Sequence, residues 1–187
     1  MSKQERFRAG DGALLVVDVQ EKLLPSIRDR DHLLTQVIRL IRGAGILEIP
    51  TFATEQYPKG LGPTVPELAG LILDRAAKTT FHALGAPGIS ESLASRGIRH
   101  VTLVGIEAHV CIAQTSLELL RLGYEVQVPA DAVGSRFAVD YEFALRRLER
   151  AGAVVSTTES VLFEWTEGAE HPKFKQISAL VKERTGE

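Results

Sequence analysis

The sequence has a single cysteine, Cys111, and no long hydrophobic run. One cysteine excludes an internal disulfide, which fits a reducing compartment. No apolar stretch reaches the roughly 20 residues that a membrane-spanning helix needs. The first six residues, Met1 to Arg6, lack the apolar core of a secretory signal. We therefore expect a cytoplasmic protein.

Basic residues are not in excess either. The chain has 22 Lys and Arg against 24 Asp and Glu, a formal net charge of -2. This balance offers no basic surface to nucleic acid or to an anionic membrane, so we expect neither as a partner. A hydrophobic content of 44% and a charged content of 25% are typical of globular proteins. The length of 187 residues fits one domain over residues 1–187.

Short apolar runs alternate with amphipathic segments along the chain. A helix, a glycine and a strand follow one another at Gly43, Gly97, Gly123 and Gly152. The predicted strands are 13–17, 46–54, 76–81, 100–105, 125–130 and 153–157, and the main predicted helices are 31–45, 90–96, 111–122, 140–151, 160–165 and 173–182. This alternation predicts an α/β fold: a three-layer αβα sandwich around a doubly wound, mainly parallel sheet of about six strands.

Three reactive side chains lie at the ends of predicted strands: Asp18 after the first, Lys78 in the third and Cys111 after the fourth. Open α/β sheets bind ligands outside the carboxyl ends of their strands, where the strand order reverses. At Cys111 a helix start favours a thiolate, which Lys78 can stabilise while Asp18 accepts the proton. With backbone amides as an oxyanion hole, these residues indicate acyl transfer by a thiol hydrolase. Spacing alone does not bring them together, so a core cysteine, a turn aspartate and a surface lysine stay open.

Two segments and one isolated lysine resemble a known family. Leu14–Gln20, Lys78 and Gly105–Cys111 are similar to the isochorismatase-like superfamily of cysteine hydrolases. The segments 54–62, 130–136 and 158–163 resemble the branch that contains the isochorismatase domain-containing proteins and the bacterial YcaC-type hydrolases. The resemblance extends over nearly the whole chain. Its strand-plus-cysteine motif is specific, whereas the Asp-x-Gln motif at Asp18 is weak by itself.

The resemblance implies a catalytic triad of Asp18, Lys78 and Cys111. Cys111 would attack a carbonyl carbon to form a thioester, which water activated by Asp18 would hydrolyse. The resemblance also implies a cis peptide bond between Ile106 and Glu107, a small-molecule substrate, no cofactor, and a homo-oligomer that is a dimer or larger. The residues expected at the substrate or oxyanion site are Gln20, Gln56, Ile106, Glu107 and Val110.

Two departures from relatives within the superfamily narrow the expected reaction. Nicotinamidases carry an Asp-x-His metal motif after the second strand, where this chain has Thr54–Gln56. We therefore expect no metal and do not expect nicotinamide as the substrate. True isochorismatases lack the cysteine that is present here as Cys111. The expected reaction is hydrolysis of a carbon–nitrogen bond in a small amide or a related acyl compound.

The residues also allow another catalytic pair and another class of function. His82 and His109 flank Lys78 and Cys111 in the sequence, so a Cys–His dyad could replace the Asp–Lys pair. The five histidines show no metal-ligand spacing and fit structural roles. The chain could also be an interaction protein that kept the fold and lost the chemistry, although it retains every triad residue. A deep pocket would favour the enzyme and a flat apolar surface the partner role. Ribonuclease activity is not expected without a basic stripe or an aromatic platform.

Overall fold

The computed structural model describes residues 7–183, so the expectation drawn from Met1 to Arg6 falls outside the described residues. The strands are β1 (Gly12–Val17), β2 (Thr51–Gln56), β3 (Arg75–Lys78), β4 (His100–Ile106), β5 (Glu125–Pro129), β6 (Val133–Gly134) and β7 (Val154–Ser156). The helices are α1 (Arg30–Ile46), α2 (Pro58–Leu61), α3 (Pro66–Ala69), α4 (Ile89–Ser95), α5 (Ala113–Arg121), α6 (Ala138–Ala151), α7 (Thr158–Thr166) and α8 (Phe174–Lys182). Short 3-10 turns span Ala9–Asp11, Leu24–Ser26, Ala83–Gly85 and Ala130–Ala132, and a π-helical turn spans Ala108–Ile112.

The seven strands form one sheet in which every strand pair is parallel. Six strands follow the order β3-β2-β1-β4-β5-β7, and the two-residue strand β6 pairs with β4. The chain builds outward from β1 to β3, returns to β4 beside β1, and then builds in the opposite direction. The strand order therefore reverses between β1 and β4, which is where such folds bind ligands. This topology confirms the predicted doubly wound α/β fold.

Apolar side chains cover both faces of the sheet, which makes three layers. Every residue of β1 is buried, and its side chains alternate between two core clusters. Leu14 and Val16 belong to the cluster that includes α1, α7 and α8, whereas Ala13, Leu15 and Val17 belong to the cluster that includes α4, α5 and α6. A parallel strand covered on both faces has no polar side, which explains the continuous apolar run in the sequence.

The second strand begins later than predicted, at Thr51 rather than at residue 46, whereas the first long helix ends within one residue of its predicted end. Helix α1 continues through Gly43 and Gly45 to Ile46, and β2 begins only at Thr51. A side chain at Gly43 would place its Cβ 2.2 Å from Leu162 Cδ2, so the glycine lets α1 pack closely against α7. Tertiary packing thus outweighs the low helix propensity of glycine here.

Within residues 7–183, no helix combines the length and the apolar character that crossing a membrane requires.

Candidate active site

The carboxyl edge of the sheet brings Asp18, Lys78 and Cys111 together. Asp18 follows β1, Lys78 is the last residue of β3, and Cys111 lies in the π-helical turn after β4. The lysine Nζ is 2.7 Å from Asp18 Oδ2 and 3.8 Å from Cys111 Sγ. The aspartate and cysteine come from neighbouring strands, whereas β3 lies two strands away from β1. The long lysine side chain therefore spans the width of β2 to complete the group.

Asp18 is fixed by its own backbone and by β2. It is fully buried, and its φ of 55° lies in the left-handed region, which aspartate tolerates better than most residues. Its N–H donates to the Thr54 carbonyl oxygen at 3.1 Å, and Thr54 Oγ1 donates to Asp18 Oδ1 at 2.8 Å. Because Lys78 binds Oδ2, both carboxylate oxygens are hydrogen-bonded and the carboxylate has one defined orientation.

The Lys78 ammonium lies in a buried cage of oxygen atoms. Besides Asp18, it donates to Gln56 Oε1 at 2.6 Å and to the carbonyl oxygens of Thr80 and Phe81, each at 3.2 Å. The side chains of Lys78 and Asp18 are both 0% exposed. A buried cation is tolerated only when such partners replace its lost hydration. The cage therefore holds the ammonium in place beside the thiol.

Cys111 is 6% exposed and lies two residues before the start of α5. Burial, and then the neighbouring Asp18 carboxylate, raise the pKa of the Cys111 thiol to about 12, against the opposing effect of Lys78. The thiol is therefore protonated at neutral pH. This differs from the expectation that the helix start alone favours a thiolate, because burial and a second negative charge outweigh it. A protonated thiol reacts as a nucleophile only if a base removes its proton. The neighbouring Asp18 carboxylate is the candidate base.

The backbone at the end of β4 is unusual at two adjacent positions. Gly105 has a φ of 115°, and a Cβ there would lie 2.1 Å from the Val17 carbonyl oxygen, so only glycine fits where β4 meets β1. The peptide bond between Ile106 and Glu107 is cis, at the position that the family resemblance implies.

Three of the five residues expected at the substrate or oxyanion site, Ile106, Glu107 and Val110, are buried or hydrogen-bonded within the protein. Ile106 is fully buried in the apolar core, and the Val110 N–H donates to the Glu107 carbonyl oxygen at 3.1 Å. Glu107 Oε2 accepts from the N–H and the Nε of Arg136, at 3.1 and 3.0 Å. Glu107 thus ties the turn that carries Cys111 to Arg136. Arg136 is not among the site residues predicted from the sequence. The one sequence signal for it is that it ends the segment 130–136, which resembles the isochorismatase domain-containing branch.

Gln20 and Gln56 are hydrogen-bonded to each other, and Gln56 also contacts Lys78. Gln20 Nε2 donates to the carbonyl oxygens of Gln56 and Gly62, at 3.0 and 2.6 Å, and Gln20 Oε1 accepts from the Gln56 N–H at 2.7 Å. Gln56 Nε2 donates to the Thr79 carbonyl oxygen at 3.0 Å. Gln20 is 0% exposed, and its amide is bonded to protein at both ends. Both glutamines therefore shape the cage around Lys78.

The two candidate histidines have other surroundings. His109 Nδ1 lies 3.0 Å from Ser135 Oγ, and its Nε2 lies 3.9 Å from Asp140 Oδ2. His82 Nδ1 is buried without a hydrogen-bond partner in the part of the chain that the structure describes. Neither ring is hydrogen-bonded to Cys111 in that part. This geometry favours the Asp–Lys pair over a Cys–His dyad. No group of three or more potential metal-ligating side chains converges among the same residues.

A cleft of about 450 Å³ opens at the same sheet edge, next to the start of α1. Its lining includes Arg28, His32, Asp131, Ser135 and Tyr141. The triad residues do not line this cleft. Cys111 itself is buried, at 6% exposed, and does not line this cleft.

Comparison with known proteins gives consistent matches. The family model described as Isochorismatase domain matches residues 12–160. Isochorismatase domain-containing protein 2 from Danio rerio is 44% identical over 177 residues, which cover 94% of this chain and 89% of that protein. The structure described as MAR1 ribonuclease from Caenorhabditis elegans has a TM-score of 0.90 and 39% identity, covering 98% of this chain and 95% of that one.

Structures of YcaC from two bacteria are also similar. YcaC from Pseudomonas aeruginosa, with hexane-2,5-diol and covalent acrylamide, has a TM-score of 0.89 and 27% identity and covers 97% of this chain and 92% of that one. YcaC from Escherichia coli, described as an octameric hydrolase of unknown specificity, has a TM-score of 0.86 and 26% identity and covers 97% and 89%. The family model covers most of the chain, and the fold agrees over nearly its full length. The chain therefore belongs to the isochorismatase family and has the fold of its hydrolases.

Proposed function

We propose that this protein is a cysteine hydrolase that cleaves a carbon–nitrogen, amide-type bond of a small molecule without a metal. Asp18 is the base, Lys78 stabilises negative charge, and Cys111 is the nucleophile. The observation that supports this most is the buried contact of Lys78 Nζ with Asp18 Oδ2 at 2.7 Å, next to Cys111 Sγ at 3.8 Å. A protonated thiol beside a carboxylate is the resting arrangement that a nucleophile with a general base requires.

In the first half of the reaction, the Asp18 carboxylate takes the proton from Cys111 Sγ. The sulfur forms a bond to the substrate carbonyl carbon, and the π electrons of the carbonyl move to its oxygen. The proposed donors to this oxyanion are backbone N–H groups of the turn Ala108–Ile112, other than those of Val110 and Ile112, which already bind the Glu107 carbonyl oxygen. When the tetrahedral intermediate collapses, the C–N bond breaks and the nitrogen takes the proton from Asp18. An amine or ammonia leaves, and a thioester remains.

In the second half, a water molecule attacks the thioester carbon while Asp18 accepts one of its protons. The C–S bond then breaks, and the sulfur takes that proton back from Asp18. The products are a carboxylic acid and the restored thiol, so the cycle needs no redox partner. Throughout both halves, Lys78 offsets the negative charge that moves between the carboxylate and the sulfur.

Properties described for relatives extend this proposal. Because acrylamide is an electrophile and is bound covalently in YcaC from Pseudomonas aeruginosa, we propose that it modifies Cys111 here. The octameric state described for YcaC from Escherichia coli supports a homo-oligomer of at least two subunits. We further propose that residues 1–187 form one domain that acts in the cytoplasm on a small-molecule substrate, without a cofactor.

The test is a screen of small amides for release of ammonia or amine, with Cys111→Ala as the control. We expect the variant to lose turnover and to lose the thioester that mass spectrometry traps, while its circular dichroism spectrum matches that of the wild type. Unchanged hydrolysis by Cys111→Ala would exclude Cys111 as the nucleophile and would refute the proposal.

A non-catalytic interaction protein is the alternative, and one observation favours it. Cys111 is 6% exposed, and the cleft at the sheet edge does not include the triad. A non-catalytic interaction protein would hydrolyse none of the amides in the screen and would bind a partner through its surface. Ribonuclease activity, the description given to the Caenorhabditis elegans relative, is not proposed here because the net charge of -2 provides no basic surface.

A further inference from the structure

Thr115, a residue outside the triad, links the segment that surrounds the Lys78 ammonium to the turn that carries the Cys111 thiol. The segment 79–83 follows β3, and two of its carbonyl oxygens accept from Lys78 Nζ, each at 3.2 Å. At the end of this segment, the Ala83 N–H donates to Thr115 Oγ1 at 2.8 Å. Thr115 Oγ1 in turn donates to the Cys111 carbonyl oxygen at 2.6 Å. One hydroxyl therefore connects the cage of the ammonium with the turn that carries the thiol.

The chemistry of the neighbours fixes the direction of both bonds. A backbone N–H can only donate and a carbonyl oxygen can only accept, so the hydroxyl must accept from Ala83 and donate to Cys111. Thr115 is 0% exposed, so its hydroxyl does not face bulk solvent. The Thr115 hydroxyl therefore donates its proton to the Cys111 carbonyl oxygen, in the turn that carries the thiol.

We propose that Thr115 is a positioning residue that sets the 3.8 Å gap between Lys78 Nζ and Cys111 Sγ. This inference rests on the proposed function, since it concerns the same thiol. Strand β3 is a four-residue strand at the edge of the sheet, paired on one side only. The start of the segment after it is held by Gln56 and Lys78, and its end at Ala83 is held by the bond to Thr115 in α5. Because the attraction between ammonium and thiolate weakens with distance, a displaced segment lowers the reactivity of the thiol.

The adjacent residue provides a matched control. Ser116 is also 0% exposed, and its hydroxyl has no hydrogen-bond partner among residues 7–183. Thr115→Val removes the linking hydroxyl and retains the branched shape, whereas Ser116→Ala removes a neighbouring hydroxyl that links nothing. Thr115→Ser keeps the hydroxyl and loses only a methyl group, so it should restore the wild-type behaviour.

The experiment measures the rate at which iodoacetamide alkylates Cys111 in the full chain, between about pH 7 and pH 10. We expect Thr115→Val to lower the rate about tenfold at each pH, the equivalent of one pKa unit. Thr115→Ser and Ser116→Ala should react like the wild type. On a substrate from the amide screen, Thr115→Val should lower kcat and leave KM unchanged.

A measurement on the unaltered protein covers the case in which Thr115→Val does not fold. Hydrogen exchange should find the Ala83 amide strongly protected, and fast exchange there would overturn the inference. Equal alkylation of Thr115→Val and the wild type would overturn it too, as would an equal loss in Ser116→Ala. Alkylation needs no hydrolysis, so the failure of the proposed function appears separately, as turnover that persists in Cys111→Ala.

Discussion

Replacing Asp18 with asparagine should increase the reactivity of Cys111 toward iodoacetamide while it abolishes hydrolysis. The Asp18 carboxylate raises the pKa of Cys111, both by its charge and by its hydrogen bond, and Lys78 lowers it. Asparagine removes the charge but retains a side-chain oxygen that can accept from Thr54 Oγ1. The thiolate then faces the ammonium without competition, because three other oxygen atoms still hold Lys78. Hydrolysis stops because the base is gone.

The size of the increase follows from the protonation equilibrium. With a pKa of about 12, the thiolate fraction at pH 7.5 is 10^(7.5 − 12), or about 3 × 10⁻⁵. Two charges about 4 Å apart interact by about 4 kcal/mol at an effective dielectric constant of about 20, which equals about three pKa units. Burial, the largest cause of the raised pKa, remains in the variant. We therefore expect the alkylation rate of Asp18→Asn to rise by about tenfold to a thousandfold.

The assay is intact-protein mass spectrometry after timed exposure to iodoacetamide, run beside the amide hydrolysis assay. Glu107→Gln is the matched control, since the Glu107 charge has the smallest named effect on the pKa of Cys111, and its rate should rise less. The reasoning fails if Asp18→Asn is alkylated no faster than the wild type. It also fails if the wild-type rate levels off with a midpoint below about pH 9, because the thiol would then have an ordinary pKa.

Three further predictions concern stability, and urea unfolding followed by the fluorescence of Trp165, the single tryptophan, tests each of them. Lys78→Met should lower the free energy of unfolding by about 3–5 kcal/mol, because it leaves a buried carboxylate without its partner; a loss below about 1 kcal/mol would contradict this. Gly105→Ala should prevent stable folding, since its Cβ would lie 2.1 Å from the Val17 carbonyl oxygen. Gly45→Ala, with nothing within 4 Å, should instead stabilise α1 by about 0.5–1 kcal/mol.

The fold was predictable because its signals are local and repeated. Each buried parallel strand appears as a short apolar run, and the alternation of these runs with helices allows few topologies. The role of Gly43 was not predictable, because its packing partner Leu162 lies more than a hundred residues away in the sequence. Helix propensity is a local quantity and does not register such a contact.

The positions of Asp18, Lys78 and Cys111 at strand ends were predictable, whereas their hydrogen-bond partners and the protonation of the thiol were not. Asp18, Lys78 and Cys111 could be placed at strand ends from the sequence, and the parallel sheet brings those ends together. The pKa of the thiol depends on burial and on a carboxylate 93 positions away in the sequence. The helix start alone predicted a lowered pKa, whereas the pKa is raised. Arg136 donates to the Glu107 carboxylate through its N–H and its Nε, and the Thr115 hydroxyl bonds to the backbone of Ala83 and Cys111; no residue pattern marks such bonds.

The charges of the site explain why a buried cysteine hydrolase would keep its thiol protonated at rest. The Asp18–Lys78 pair is neutral as a whole, so adding a neutral thiol buries no net charge. Moving the proton from sulfur to Asp18 converts this state into a thiolate beside an ammonium, which is neutral as well. The transfer changes only the position of the negative charge, and Lys78 lies within 4 Å of both positions. A lysine held by four oxygen atoms can thus stabilise either state, and in the proposed mechanism the thiol becomes a nucleophile only when the proton moves.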